Sequence, residues 1–211
     1  MLMDFNQVYK KYKLQINGVL HVGAHYAEEA KLYSDHKTGP VWWIEANPEV
    51  QSLIKNNLRG FPNQTLIEAL VFSEDGIEKN FNVTNYGGMS SSIYEFGTHT
   101  SFSPDIHFEK TLKLKTKTID SIWKENKIEA NFMNMDLQGA EGPALRGAVD
   151  SIPKLDYVMT EVNKAEVYVG CTQIGEIDEI LSDFKRVETF WVGNQGWGDA
   201  LYIRKTLLGG K

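Results

Sequence analysis

Three acidic and two amide side chains gather where two predicted strands end. Asp136, Gln138 and Glu141 follow one strand, and Glu161 and Asn163 end the next strand along the chain. Ligands of open parallel sheets bind outside the carboxyl ends of the strands, so we expect these side chains to share one site. Helix capping would account for Asp136 or Glu141. It does not account for Glu161 and Asn163, because no clear helix start follows them.

These residue types predict a site that removes a proton, with or without a metal ion. A carboxylate becomes a useful base when burial or a like charge raises its pKa. We therefore take Asp136 as the candidate general base, with Glu161 and Asn163 beside it as further catalytic candidates. The same three residues offer hard oxygen ligands, which suit Mg²⁺. We favour the base without a metal and keep the divalent cation as the alternative.

A glycine and an acid at the ends of the first two predicted strands suggest a nucleoside site. Gly23 lies in the run HVGAH at residues 21–25, and Glu45 follows it by 22 residues. That distance is typical of an acid that binds the hydroxyl groups of a nucleotide ribose. The further glycines of a Gly-x-Gly-x-x-Gly motif are missing, which disfavours a pyrophosphate-bearing dinucleotide. The alternative role for Glu45 is to cap a helix that begins at Pro48.

Short apolar strands alternate with helical stretches along most of the chain. This alternation predicts an α/β fold with a mostly parallel sheet and helices on both faces. Two β-rich runs at 186–192 and 197–204 leave no room for a helix between them, so they must form an antiparallel hairpin. The segment 77–118 is the least regular. Strands are predicted at 18–22, 41–46, 65–72, 131–137 and 155–163, and helices at 5–12, 26–34, 48–60, 119–126, 142–152 and 174–184.

Composition limits the class of protein. The chain has 211 residues, 42% apolar and 24% charged, which suits one globular domain over 1–211 whose residues 1–17 form a helical extension. Its net charge of −6 disfavours a general role on nucleic acid, since such binders neutralise phosphates. The single cysteine rules out an internal disulfide. No membrane span and no secretory signal are visible, so we expect a cytoplasmic protein without a membrane partner.

Several segments resemble the FkbM family of S-adenosylmethionine-dependent methyltransferases, and they stand in the order of that family. The similarity covers residues 18–205, and its most specific part is MDLQGAE at 135–141. The other matching segments are HVGAH at 21–25, WIEANP at 43–48, SSS at 90–92, KTID at 117–120 and WGDALY at 197–202.

The resemblance implies a class I methyltransferase fold, which is a Rossmann-like, mostly parallel seven-stranded sheet with an antiparallel C-terminal hairpin strand. It implies S-adenosyl-L-methionine as the methyl donor and O-methylation of a hydroxyl on a small-molecule or glycan acceptor, for which we expect a sugar. We expect Glu45 to hold the ribose, Gly23 and Ala24 the methionine end, and Ala69 and Leu70 the adenine. The cofactor-binding candidates are Gly23, Ala24, His25, Glu45, Ala46, Ala69, Leu70 and Asp136. The substrate-binding candidates are Ser91, Ser92, Gln138 and Glu141.

Two positions depart from the family pattern. His21 stands where the family usually has Asp, and Ala27 stands where it usually has Gly. A non-catalytic S-adenosylmethionine-binding module is therefore one alternative, and an NAD-dependent oxidoreductase is a more distant one. The chain could also be a domain of a larger polypeptide. His36, His99 and His107 have no metal-ligand spacing, and we expect them on the surface or in loops.

Overall fold

The alternation of apolar strands and helices forms two sheets in the computed structural model, which describes residues 2–209. The strands are β1 (Val19–Val22), β2 (Val41–Glu45), β3 (Gln64–Glu68), β4 (Leu70–Val71), β5 (Glu78–Thr84), β6 (Phe108–Lys117), β7 (Phe132–Met135), β8 (Tyr157–Asn163), β9 (Phe184–Trp191) and β10 (Trp197–Arg204). The α-helices are α1 (Phe5–Tyr12), α2 (Ala30–Asp35), α3 (Gln51–Asn57), α4 (Ile119–Glu125), α5 (Glu141–Arg146), α6 (Ile174–Ile180) and α7 (Lys205–Leu208).

The larger sheet has seven strands in the order β3-β2-β1-β7-β8-β10-β9. The first five strands are parallel, and β10 runs antiparallel to both β8 and β9. The predicted α/β fold with a terminal antiparallel hairpin is therefore confirmed. The strand order reverses between β1 and β7, where Val22 is in register with Ile44 on one side and with Met135 on the other. The carboxyl ends of these strands thus meet at the switch point, where ligands bind in such sheets.

Two apolar layers cover the faces of this sheet. Successive strand residues point to opposite faces, so Leu20 and Val158 pack in the layer that contains α4, α5 and α6. Val19 and Phe132 pack in the other layer, against α1, α2 and α3. Both layers are fully buried at the central strands, which is typical of parallel sheets. On the face that packs against α1, α2 and α3, strand β8 changes from apolar to polar towards its carboxyl end, because Met159 is followed on that face by Glu161.

Several predicted elements differ from the structure in their bounds; the helices predicted at 142–152 and 174–184, for example, end at Arg146 and Ile180. The strand predicted at 65–72 splits at Ala69: β3 stays in the large sheet, while β4 joins the three-stranded sheet β4-β6-β5. The helix predicted at 26–34 begins only at Ala30, because the left-handed backbone at His25 and Ala27 cannot continue a helix. The helix predicted from Pro48 begins at Gln51.

The helices are short. The predicted opening helix is present as α1, which has eight residues and is capped by the side chain of Asp4 on the backbone N–H of Gln7. Within residues 2–209, no helix is long and apolar enough to cross a membrane.

Candidate active site

A cavity of about 540 Å³ opens at the carboxyl ends of β1, β2 and β7, within the size range of small-molecule sites. Most of the residues singled out in the sequence line it. Those residues are Gly23, Ala24, His25, Glu45, Ala46, Ala69, Leu70, Ser91, Ser92, Asp136, Gln138 and Glu161. Glu141 and Asn163 are not among the lining residues, and both have 0% exposed surface.

The loop after β1 needs a glycine at its first position. Gly23 has a φ of +91°, and a Cβ placed on it would lie 2.0 Å from the carbonyl oxygen of Asp136. Only glycine therefore lets the loops after β1 and β7 approach each other this closely. Ala27 has a φ of +56°, so the backbone keeps the conformation that favours glycine although an alanine stands there. At Ala27 the residue type departs from the family pattern in a left-handed backbone that glycine adopts more readily.

Glu45 connects the two loops of this end of the cavity. Its Oε2 accepts a hydrogen bond from the backbone N–H of His25 (2.8 Å), and its Oε1 accepts one from the N–H of Asn47 (2.7 Å). Burial raises the pKa of Glu45, and the two backbone N–H groups oppose that rise. The side chain of Asn47 in turn caps the turn at Pro48 by accepting the N–H of Glu49 (3.1 Å). Glu45 therefore fixes the chain after β2 and also faces the cavity.

A single amide joins Asp136 and Glu161, which we call the carboxylate pair. The Nε2 of Gln138 donates to Asp136 Oδ1 (2.5 Å) and to Glu161 Oε2 (3.0 Å). The hydroxyl of Tyr168 donates to the Oε1 of Gln138 (2.5 Å), which fixes the orientation of the amide. Gln138 itself has a φ of +53°, a strained conformation of the kind that clusters at functional sites.

The carboxylate pair does not fit the Mg²⁺ alternative. A hydrogen-bond donor, the Gln138 amide, bridges the two carboxylates where a cation would have to bind both. Asn163 turns its Nδ2 towards Glu161 Oε1 (3.3 Å) and has no exposed surface. Within residues 2–209, no group of three or more His, Cys, Asp or Glu side chains is arranged to hold a metal ion. Burial, and then the charges of Asp136, Glu141 and Asp199, raise the pKa of Glu161 well above its usual value.

Glu141 lies inside the loop that follows β7. Its Oε1 accepts the backbone N–H groups of Leu137 (2.9 Å) and Gly139 (3.3 Å). Burial raises the pKa of Glu141 to about 7, and the nearby charge of Asp136 adds to that effect. Glu141 therefore stabilises the loop after β7, whereas the sequence predicted that it contacts the substrate.

The hydroxyls of the two predicted substrate-binding serines donate to backbone carbonyls, one in the same loop and one in the loop after β7. Ser91 Oγ donates to the carbonyl of Gly88 (2.6 Å), and Ser92 Oγ donates to the carbonyl of Gln138 (2.8 Å). The neighbouring Ser90 is different, because its Oγ lies 3.3 Å from His99 Nε2 in the cavity wall.

Four ring-bearing residues form the far wall of the cavity, which we call the aromatic wall: His99, Phe102, Tyr168 and Trp197. His99, expected on the surface or in a loop, lies in the irregular segment between β5 and β6, but it is buried, since only 5% of it is exposed. Its ring stacks on Phe96 with centroids 4.3 Å apart, and burial lowers its pKa. Its Nδ1 has no hydrogen-bond partner among the residues described. No local pattern indicates this role, because His99 and Tyr168 meet only through loops far apart in the sequence.

The cavity is acidic. Its carboxylates are those of Glu28, Glu29, Glu45, Asp136 and Glu161. No lysine or arginine is among the described residues that line it. In a partly enclosed cleft such a charge distribution attracts cations and repels anions.

Residues 21–187 match the family described as "Methyltransferase FkbM domain", a match that includes the loops after β1, β2 and β7. The chain belongs to the FkbM methyltransferase family. It is accordingly an S-adenosylmethionine-dependent methyltransferase, and the family assignment predicted from the sequence is confirmed.

Known proteins similar to this FkbM methyltransferase agree with the fold. A curated relative, the 2-O-methyltransferase NoeI of Sinorhizobium fredii, is 24% identical over 90% of this chain and 80% of its own length. An S-adenosylmethionine-dependent methyltransferase of Aquifex aeolicus has a TM-score of 0.51 and 14% identity, over 96% of this chain and 90% of that one. A Streptococcus agalactiae protein of the NADB-Rossmann superfamily has a TM-score of 0.53 and 11% identity, over 97% of this chain and 69% of that one. The fold is that of class I methyltransferases, as predicted.

Proposed function

We propose that the chain transfers the methyl group of S-adenosylmethionine to a hydroxyl oxygen of a small-molecule or glycan acceptor, and that this acceptor is a sugar. The observation that carries the proposal is one cavity whose lining includes the loop after β1, the carboxylate pair and the aromatic wall. The backbone of Asp136 is packed against Gly23, and Gln138 connects the pair to Tyr168. The name of the curated relative, a 2-O-methyltransferase, supports oxygen as the methylated atom.

The strand-end part of the cavity suits the methyl donor. Glu45 and Gly23 both line the cavity, and we assign the ribose hydroxyls to Glu45 and the methionine end to the loop that begins at Gly23. Leu70 packs with Phe81, Ala46 and Ile93 in an apolar cluster, which offers a surface for the adenine. When bound, the donor supplies a methyl group on a positively charged sulfur, and an acidic cavity stabilises that charge.

The carboxylate pair supplies the proton acceptor. An alcohol is a weak nucleophile near neutral pH, so a base must take its proton as the methyl group moves. Asp136 is the member that we assign as base, because the raised pKa of Glu161 favours its neutral form. Gln138 holds Asp136 in place through its amide. Transfer then depends on alignment of the acceptor oxygen with the methyl group.

The aromatic wall suits a neutral, hydroxylated acceptor. A sugar ring has apolar C–H faces that pack on aromatic rings and hydroxyls that need polar partners, which Ser90 and His99 offer. The absence of lysine and arginine from the described cavity wall argues against phosphate-bearing acceptors, nucleic acid included. A cytoplasmic location, a single domain over 1–211, the absence of a membrane partner and membership of a larger polypeptide stay predictions.

The proposal is tested by a screen with a methyl-labelled donor against free monosaccharides, methyl glycosides and oligosaccharides, with RNA and protein in parallel. Transfer to one or more sugars is expected. Transfer to RNA or protein but to no sugar would overturn the acceptor class. Binding of the donor with no transfer to any acceptor would favour the non-catalytic module, and calorimetric binding of NAD alone would favour the oxidoreductase.

A further inference from the structure

The end of β1 offers no charge to a ligand, although it borders the part of the cavity next to Gly23. His21 is 3% exposed, and burial lowers its pKa to about 3, so the ring is neutral at neutral pH. Its ring stacks on Trp43 with centroids 4.4 Å apart, and its Nδ1 lies 3.1 Å from the hydroxyl of Tyr33. A positively charged group bound beside Gly23 must therefore find its counter-charge elsewhere.

Two adjacent carboxylates, Glu28 and Glu29, follow the turn at His25, and they differ in their side-chain partners. Glu28 Oε1 lies 2.7 Å from His25 Nδ1, and Glu28 Oε2 accepts the backbone N–H of Tyr26 (3.2 Å). Glu29 also lines the cavity, makes no capping hydrogen bond to α2, and forms no side-chain hydrogen bond or salt bridge with another residue among those described.

Glu29 lies in surroundings that favour a bound cation. Burial raises its pKa, and the negative charges of Glu28 and Asp136 raise it further. Burial of a carboxylate is unfavourable, and a cation with several N–H donors offsets that cost. The described lining residues provide no lysine or arginine for this purpose, which leaves this carboxylate open to a cationic group of a ligand.

We propose that Glu29 binds the ammonium group at the methionine end of S-adenosylmethionine, an assignment that rests on the methyl-donor site described above. An ammonium group has three N–H donors, and a carboxylate accepts them in charge-assisted hydrogen bonds. Glu45 and Glu29 thereby recognise two different groups of one cofactor, the ribose hydroxyls and the ammonium. The charge that strand β1 does not provide at His21 is supplied by the residue before α2.

Calorimetry with two adenosyl ligands tests this assignment without any acceptor. S-adenosylhomocysteine carries the ammonium, whereas methylthioadenosine lacks the whole amino-acid end. Glu29→Gln should weaken S-adenosylhomocysteine about tenfold or more and leave methylthioadenosine within about twofold of the wild type. Glu29→Asp, which keeps the charge, should recover part of the loss. Glu28→Gln, one residue away, should lose less than about threefold, because its carboxylate is already paired with His25.

Three results would overturn the assignment. Wild-type affinity of Glu29→Gln for S-adenosylhomocysteine would remove the contact. An equal loss in Glu28→Gln would show a general effect of charge, and an equal loss of methylthioadenosine would show a change in the shape of the cavity. Failure of the wild-type chain to bind either ligand would instead overturn the proposed function, and the Glu29 assignment with it.

Discussion

The two ends of the cavity are built in different ways. At the cofactor end, Gly23, Glu45 and Asp136 stand directly at strand ends, and the parallel register of β1, β2 and β7 sets their relative positions. At the acceptor end, His99 lies in a short 3₁₀-helix, Thr98–Ser101, and Tyr168 lies in the segment between β8 and α6. The first end is therefore a consequence of the fold, and the second depends on contacts between irregular segments.

Backbone hydrogen bonds and ring packing hold the acceptor end together. Backbone hydrogen bonds join the two segments. The N–H of Gly97 donates to the carbonyl of Val167 (2.9 Å), that of Thr98 to Glu166 (2.8 Å), and that of Val169 to Glu95 (2.8 Å). Ring packing around Tyr168 completes the wall. Loops of this kind carry specificity on a fixed scaffold. We therefore expect changes at the cofactor end to abolish turnover or donor binding, and changes at the acceptor end to alter acceptor use.

The largest effect is expected at the carboxylate pair. Asp136→Asn keeps an oxygen that accepts from Gln138 Nε2 but removes the base, so kcat should fall about 100-fold or more. Labelled-methyl transfer to the acceptor found in the screen measures the change. Calorimetry should show a loss of donor affinity of less than about tenfold. Full turnover in this variant would remove Asp136 from the mechanism.

A strong effect on donor binding is expected at Glu45. Glu45→Ala should weaken S-adenosylmethionine by about 1.5–3 kcal/mol, roughly tenfold to a hundredfold, because charge-assisted hydrogen bonds to the ribose are lost. Glu68→Ala is the matched control, since Glu68 is the register partner of Glu45 on β3 and pairs with Lys55. Unchanged affinity in Glu45→Ala would contradict the ribose assignment.

The buried carboxylate beneath the β7 loop should make stability depend on pH. The pKa of Glu141 is raised to about 7, so the folded chain keeps a proton that the unfolded chain loses near its ordinary value of 4.5. The wild type should therefore lose stability as pH rises from about 4.5 to about 7. Glu141→Gln lacks this titration and should be more stable than the wild type above pH 7, by an amount on the order of 2 kcal/mol. Urea unfolding at about pH 4.5 and above about pH 7 measures the free energy of unfolding at both ends of this range. An equal change of that free energy with pH in the wild type and in Glu141→Gln would contradict the prediction.

The smallest effect is expected at the aromatic wall. His99→Phe keeps the stack on Phe96 but loses the polar nitrogens, so the KM for the acceptor should rise about threefold to tenfold, the effect of one neutral hydrogen bond. The Kd of S-adenosylmethionine should stay within about twofold. His107→Phe, an exchange at an exposed histidine, is the control. A loss of donor affinity as large as the change in KM would contradict the division of the cavity into two ends.

The sequence allowed prediction of those parts of the fold and site that a local pattern of residue types determines. Buried parallel strands are continuous apolar runs, so the central strands, the hairpin and the position of Glu45 could be assigned from residue types alone. The short helix α2 could not, because an alanine in the left-handed region at Ala27 runs against its own preference. The burial of His99 and the internal hydrogen bonds of Glu141 depend on contacts made only after folding. No sequence pattern indicated a ligand-binding role for Glu29 beyond the charge of its side chain.

The central claim is that an oxygen of a sugar receives the methyl group and that Asp136 takes the proton. The most direct test is to treat the sugar selected by the screen with an isotope-labelled methyl donor and to locate the label in the product by NMR. The account predicts an O-methyl ether on one hydroxyl with the wild type and none above background with Asp136→Asn. A label on nitrogen or carbon, or an O-methyl ether formed equally well by Asp136→Asn, would contradict it.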